Sequence, residues 1–122
     1  MLQAPDVFRA GVATAPLTDL RQVAGSTMIY FSGDSEKDEE ALEFASNLRL
    51  ARNLKGHLLL IHGTSDVNAP LTATMQMIDA LTKAGRPYDL ILLPDQDHLP
   101  AGQAAIYLLQ QQRRYLVEHL NP

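Results

Sequence analysis

An apolar run that ends abruptly in small polar residues constrains this chain more than any other feature. The segment HLLLIHGTSDVNAP, residues 57–70, is apolar from Leu58 to Ile61 and then turns to His, Gly, Thr, Ser, Asp and Asn. A short strand with successive apolar side chains is typical of a sheet that is covered on both faces. The polar cluster therefore either caps the next helix or holds the Asp66 carboxylate in a functional position at the end of a buried strand.

Strand and helix patterns alternate along the rest of the chain. Three short segments are predicted to be strands: residues 8–15, 57–63 and 88–95. Three longer segments are predicted to be helices: residues 35–56, with a break at Ser46 and Asn47, residues 69–84 and residues 101–120. This order favours an α/β fold in which three parallel strands are joined by right-handed crossovers and flanked by helices.

Apolar stripes predict which faces of the last two helices pack on the sheet. On the helix of residues 69–84 the stripe consists of Leu71, Met75, Ile78 and Leu81. On the helix of residues 101–120 it consists of Ala105, Leu108, Leu109, Tyr115 and Leu116.

Composition narrows the function classes. The 122 residues, 46% of them apolar, suit one globular domain over residues 1–122. With a net charge of −4 and scattered basic residues, we expect no nucleic-acid surface. The absence of cysteine excludes disulfides and thiolate metal sites. No apolar run approaches the roughly 20 residues of a membrane span, and the compartment stays open.

Two chemically useful side chains follow neighbouring predicted strands. Asp66 comes after the second strand and His98 after the third. Because adjacent parallel strands lie about 4.8 Å apart, loops that leave them can bring these side chains into hydrogen-bonding reach. A carboxylate beside an imidazole fixes the tautomer of the ring and stabilises the imidazolium once the ring accepts a proton. Asp66 and His98 are therefore candidate catalytic residues that require a nucleophile.

The nucleophile is missing from the chain. In α/β-hydrolases the chain order is Ser, then Asp or Glu, then His, with the serine on a G-x-S-x-G turn. None of the serines that precede Asp66 has glycine both two residues before and two residues after it; they are Ser26, Ser32, Ser35, Ser46 and Ser65. A fragment without the nucleophile is expected to be inactive by itself.

Three segments carry a resemblance to a known family: PDVFRAGVATAPLTD, NLKGHLLLIHGTSDVNAP and DQDHLP. They resemble, in order and separation, the C-terminal part of the catalytic domain of the prolyl oligopeptidase family of serine peptidases, in its dipeptidyl peptidase IV branch. The first is similar to the segment that follows shortly after the nucleophile, so the chain is expected to begin just past the serine. The resemblance implies a C-terminal fragment of an α/β-hydrolase fold that cleaves peptides and uses no metal or other cofactor.

The resemblance also assigns roles to individual residues. It implies that Asp66 is the triad aspartate, that His98 is the triad histidine, and that Asn68 holds the substrate backbone near the cleaved bond. Val67 stands where relatives often have a second aspartate, and Leu99 stands where glycine is common.

A substrate pocket is implied by the stretch LTDLRQVAGST, residues 17–27. It aligns with the segment that contributes aromatic residues to the proline pocket of dipeptidyl peptidase IV, but it contains no aromatic residue. Leu17 and Leu20 are therefore expected to line a smaller or aliphatic substrate pocket.

Other interpretations remain open. Asp66 and Asn68 could simply cap the helix that begins near Ala69. The parent protein could be another α/β-hydrolase, such as an esterase or an acylpeptide hydrolase, or a non-catalytic hydrolase-like interaction domain. Asp95, Asp97 and His98 are close in sequence, but near neighbours on a short loop rarely all face one ion, so no metal site is predicted. His62 is predicted to be structural.

The first strand is expected to expose an edge. In an α/β-hydrolase the strand of residues 8–15 pairs on one side with the strand that leads to the nucleophile, which this chain lacks. An unpaired apolar edge invites pairing with another chain, and twofold dimers are the commonest assembly. We therefore expect a homodimer formed through residues 8–15 or the apolar surface beside them.

Overall fold

The computed structural model describes residues 1–23 and 35–121. In this part of the chain three strands form one sheet: β1 (Ala10–Thr14), β2 (His57–Gly63) and β3 (Asp89–Leu93). Three α-helices accompany them: α1 (Ser35–Ala45), α2 (Leu71–Lys83) and α3 (Gly102–Leu120). None of the helices in the described ranges is both long and apolar enough to cross a membrane.

The sheet is parallel and β2 lies at its centre. β1 pairs with β2 from Ala10 opposite His57 onward, and β2 pairs with β3 up to Gly63 opposite Leu93. Since β2 and β3 end at the same level, the two loops that follow them leave the sheet side by side. The predicted α/β class and the three parallel strands are confirmed.

Both faces of β2 are covered, which explains its uninterrupted apolar run. Leu58 and Leu60 face one side and belong to a cluster with Leu54, Met77 and Leu81. Leu59 and Ile61 alternate to the other side, where they form a second cluster with Leu93 and Tyr115. Full burial of one such side chain is worth about 1.5–3 kcal/mol.

Helix α3 lies across the second face and is fixed at two points. The Tyr115 hydroxyl donates to Asp89 Oδ2 at the start of β3, at 2.8 Å. Gln112 Nε2 donates to Thr14 Oγ1 at the end of β1, also at 2.8 Å. The helix therefore braces the sheet from β3 to β1.

The predicted helix of residues 35–56 divides where a break was predicted. α1 ends at Ala45, and a short 3₁₀ segment, Leu48–Asn53, follows. Between them, Ser46 Oγ donates to Asp19 Oδ2 at 2.9 Å and the Asn47 N–H donates to the Thr18 carbonyl at 2.9 Å. These long-range bonds replace the bonds that would have continued the helix.

Two residues of the predicted apolar stripes face solvent instead. Met75 on α2 is exposed, and the buried face of that helix includes the small residues Ala73 and Thr74. Leu109 on α3 is also exposed, whereas Tyr115 is buried. On α2, small side chains let the helix approach the sheet closely, and a stripe drawn from large apolar residues overlooks them.

At the end of β2 the backbone passes very close to the loop after β3. A Cβ atom added at Gly63 would collide with the Gln96 carbonyl oxygen and lie 2.8 Å from the Asp97 carbonyl oxygen. The two segments are also hydrogen-bonded, since the Thr64 N–H donates to the Leu93 carbonyl and the Ser65 N–H to the Gln96 carbonyl, both at 3.0 Å. Glycine at position 63 is therefore a requirement of this close approach.

We expect Gly63→Ala to lower the free energy of unfolding by about 1–3 kcal/mol, the range for overpacking. It should also shift the amide NMR resonances of Gln96 and Asp97, because those carbonyls must move. Gly85→Ala is the matched control: its φ of +65° disfavours alanine, but nothing lies within 4 Å of the added Cβ. Unchanged resonances at residues 96 and 97 in Gly63→Ala would contradict the close approach.

Candidate active site

The two loops at the carboxyl ends of β2 and β3 form the site. We call residues 64–70 the Asp loop and residues 94–101 the His loop. Asp66 Oδ2 accepts a hydrogen bond from His98 Nδ1 at 2.9 Å. Asp66 Oδ1 accepts the backbone N–H groups of Asn68 at 2.9 Å and Ala69 at 2.8 Å. The structure thus brings together the two residues that were predicted to meet.

The carboxylate shapes the Asp loop without capping the next helix. Helix α2 begins at Leu71, is preceded by Pro70 as its cap residue, and has no side-chain cap hydrogen bond. The N–H groups that bind Asp66 belong to Asn68 and Ala69, in the turn before that helix. The helix-capping interpretation of Asp66 is therefore wrong, although the carboxylate does fix the local backbone.

His98 is held in one tautomer by this contact. A carboxylate can only accept, so His98 Nδ1 carries the hydrogen and, in the neutral ring, Nε2 has a free lone pair. The side chain is 39% exposed, and its Nε2 makes no hydrogen bond with the residues that the structure describes. The ring is therefore oriented at one nitrogen and open to accept a proton at the other.

Competing effects act on the pKa of Asp66. Burial of the side chain would raise its pKa, but the N–H of Ala69, the His98 ring and the N–H of Asn68 together outweigh that penalty. The pKa of Asp66 therefore lies below its ordinary value, and the carboxylate is ionised around neutral pH.

His62 supports the Asp loop from within the core. It is fully buried, its Nε2 donates to the Ala69 carbonyl at 2.9 Å, and its Nδ1 lies 2.7 Å from Thr74 Oγ1. The same Nε2 lies 3.5 Å from Asp66 Oδ2. The structure agrees with the structural interpretation of His62 and adds a link between the Asp loop and α2.

Asp97 connects the two loops, a role that sequence reasoning missed. Its Oδ1 accepts the His98 N–H at 2.7 Å and the Val67 N–H at 3.4 Å. Thr64 adds a second link, because its Oγ1 accepts the Asp95 N–H at 2.9 Å. Within the described ranges no three His, Asp or Glu side chains are arranged to bind a metal ion.

The expected substrate-contacting residues lie in three different settings. Asn68 is exposed and adjoins the site through its backbone N–H. Leu17 lines a cleft of about 320 Å³ whose other apolar walls include Leu58 and Met77, and neither Asp66 nor His98 reaches this cleft. Leu20 is half-buried at the start of a 3₁₀ segment and is not part of the cleft lining. Residues 24–27 of the predicted pocket stretch lie outside the described residues.

The segment that carries Leu17 and Leu20 is fixed by its polar neighbours. Thr18 Oγ1 donates to the Ala73 carbonyl on α2 at 2.6 Å. Asp19 is buried and accepts from Ser46 and from Arg21, whose guanidinium lies 2.9 Å from Asp19 Oδ2. Burial would raise the pKa of Asp19, but its hydrogen bonds and the charge of Arg21 hold that pKa below its ordinary value.

The pKa of Asp66 predicts how the stability of the fold depends on pH. Because the folded-state pKa lies below the unfolded value of about 3.9, the ionised carboxylate stabilises the fold above that pH. This stabilisation is lost as the pH falls through the folded-state pKa. We expect Asp66→Asn to cost about 2 kcal/mol near neutral pH, with a cost that shrinks at acidic pH, as measured by urea unfolding across a pH series.

A surface variant provides the control for this measurement. Asp79 pairs with Lys83 on the exposed face of α2 at 2.6 Å, and exposed pairs contribute about 0–1 kcal/mol. Asp79→Asn should therefore change stability little at any pH. A cost of Asp66→Asn that stayed constant down to strongly acidic pH would contradict the stabilising role of the ionised carboxylate.

Comparisons with known proteins agree on one family. The model of the prolyl oligopeptidase family matches residues 1–122. Inactive dipeptidyl peptidase 10 of Rattus norvegicus is 32% identical over 92 residues, 75% of this chain and 12% of that protein. Dipeptidyl peptidase 8 of Homo sapiens is 31% identical over 102 residues, 80% of this chain and 11% of that protein.

A solved structure confirms the fold. The crystal structure of Porphyromonas gingivalis dipeptidyl peptidase 4 matches with a TM-score of 0.90 at 27% identity, covering 97% of this chain and 17% of that one. The chain spans only 12% and 11% of the length of the two curated relatives. Its three parallel strands and flanking helices correspond to part of an α/β-hydrolase catalytic domain. Since the family model matches it from end to end, the chain belongs to the prolyl oligopeptidase family.

Proposed function

We propose that this chain supplies the aspartate and the histidine of a Ser–Asp–His triad in a serine peptidase of the dipeptidyl peptidase or prolyl oligopeptidase type. The observation that carries this proposal is the 2.9 Å bond from His98 Nδ1 to the buried Asp66 carboxylate. It leaves Nε2 of a partly exposed ring available as a base. Family membership supports a peptide as the substrate.

The reaction proceeds by acyl transfer. A serine in the upstream part of the parent protein attacks the peptide carbonyl while His98 Nε2 accepts the hydroxyl proton. Asp66 stabilises the resulting imidazolium, which then gives the proton to the leaving amine. Water, activated by the same nitrogen, releases the acyl group from the serine. One oxyanion donor is the backbone N–H after the nucleophile, so it too belongs to the upstream part.

Three further residues are proposed to contact substrate. Asn68 is exposed two residues after Asp66, where its amide can bind the substrate backbone. Leu17 and Leu20 lie on the segment after β1 that Thr18 and Asp19 fix in place, and Leu17 is exposed. Aliphatic side chains there support a preference for small or aliphatic substrate residues.

Two alternatives have specific support. The aliphatic Leu17 favours an esterase or an acylpeptide hydrolase over a proline-specific peptidase. The 32% identity to a relative named inactive dipeptidyl peptidase 10 favours a non-catalytic hydrolase-like domain. Against the second alternative stands the intact contact between Asp66 and His98, which a binding module does not need.

We expect this chain alone to leave peptides and esters uncleaved, and a fluorophosphonate probe to give no stoichiometric serine adduct. In the parent protein, Asp66→Asn and His98→Gln should each lower kcat by about 10⁴-fold, since each disables the base. Asp79→Asn on α2 should leave kcat unchanged. A clean single-site adduct on a serine of this chain would contradict the proposal, and so would undiminished activity of the His98 variant.

We also propose that the isolated chain forms a homodimer through β1. Among the described residues β1 pairs with β2 alone, so its other edge presents free N–H and C=O groups. The Ala15 N–H donates to the Ile61 carbonyl of β2 at 2.8 Å. Successive N–H groups of a strand point to opposite sides, so those of Val12 and Thr14 point toward the free edge.

Light scattering after size exclusion tests this assembly. We expect the mass of two chains, with slow hydrogen exchange at the amides of Val12 and Thr14. A monomer at tens of micromolar with rapid exchange at these two amides would show that the free edge stays unpaired.

A further inference from the structure

We propose that Val67 and Leu99 form an apolar contact surface for the leaving-group side of the substrate, so that the parent enzyme favours an apolar residue directly after the cleaved bond. This inference rests on the proposed function and specifies the substrate class of the same site. It concerns two side chains that the triad itself does not use.

The first observation is the unusual exposure of these two residues. Val67 is 83% exposed and Leu99 is 82% exposed, the highest values among the large apolar side chains in the described part of the chain. Exposed apolar residues are common when scattered singly. Here one directly follows Asp66 and the other directly follows His98, so both adjoin the candidate active site.

The second observation is that one carboxylate, Asp97, joins the two loops that carry these residues. Asp97 Oδ1 accepts the Val67 N–H at 3.4 Å and the His98 N–H at 2.7 Å. Leu99 is one residue beyond His98, which is about 3.8 Å along the chain. Val67 and Leu99 therefore lie on the two loops that the Asp97 carboxylate joins, within two residues of that bridge in each loop.

The chemistry of the triad indicates which part of the substrate lies there. His98 Nε2 must reach the nitrogen of the leaving amine to protonate it. The leaving portion of the peptide therefore passes beside His98, whereas the acyl portion is attached to the upstream serine. An apolar side chain at the first leaving residue can cover Val67 and Leu99, and this burial of apolar surface favours binding.

The test uses the parent enzyme and two peptide substrates with identical acyl portions, one with leucine and one with serine directly after the cleaved bond. We expect kcat/KM to be about 3–10-fold higher for the leucine peptide, since one small apolar contact yields discrimination at the low end of that seen in closed pockets. The double variant Val67→Thr with Leu99→Asn, which keeps the side-chain sizes, should bring the ratio near one because it lowers kcat/KM more for the leucine peptide than for the serine peptide.

Val7→Thr is the matched control, because Val7 is 73% exposed and precedes β1 at the opposite end of the sheet. It should keep the preference of the wild type. Equal cleavage of both peptides by the wild type, or an unchanged ratio in the double variant, would overturn this inference alone. An equal loss of kcat/KM for the leucine and serine peptides in the double variant would assign Val67 and Leu99 a structural role and would also overturn this inference. Failure of the wild type to cleave any peptide would overturn the proposed function as well.

Discussion

The site depends on a single buried carboxylate, Asp66, whose two oxygens have different hydrogen-bond partners. Asp66 Oδ1 binds two backbone N–H groups and so fixes the turn that leads into α2. Oδ2 is then left to orient His98. Because the first oxygen is held by the backbone, the second has a defined position, and His98 is oriented by a group that cannot rotate away. Asp66 therefore stabilises the fold with one oxygen and supports the proposed chemistry with the other.

Buried polar groups elsewhere follow the same principle. In the described part of the chain, every buried side-chain nitrogen and oxygen has a hydrogen-bond partner. The six buried polar residues of the described part fall into two groups, one around Asp66 and one around Asp19: His62, Asp66 and Thr74, and Thr18, Asp19 and Ser46. Both groups bond to helix α2 or to the turn before it, so the polar interior stabilises the arrangement of the loops as well as the core.

The sequence predicted what periodicity and chain order determine. The bounds of β2, the parallel sheet and the meeting of Asp66 with His98 follow from apolar runs and from the common edge at which parallel strands end. The Asp97 bridge and the exposure of Met75 did not follow. Both depend on which loop or helix face lies opposite a residue, and that is decided by packing between segments distant in sequence.

The close approach at Gly63 has a consequence for variation among related proteins. The Gln96 and Asp97 carbonyls occupy the space that any side chain at position 63 would need. A change in the length or path of the His loop is therefore tolerated only if it preserves this gap, whereas a His loop displaced outward would free position 63 to vary. We expect the identity of residue 63 and the length of the His loop to covary across homologues, so that grafting one loop without the other misplaces His98.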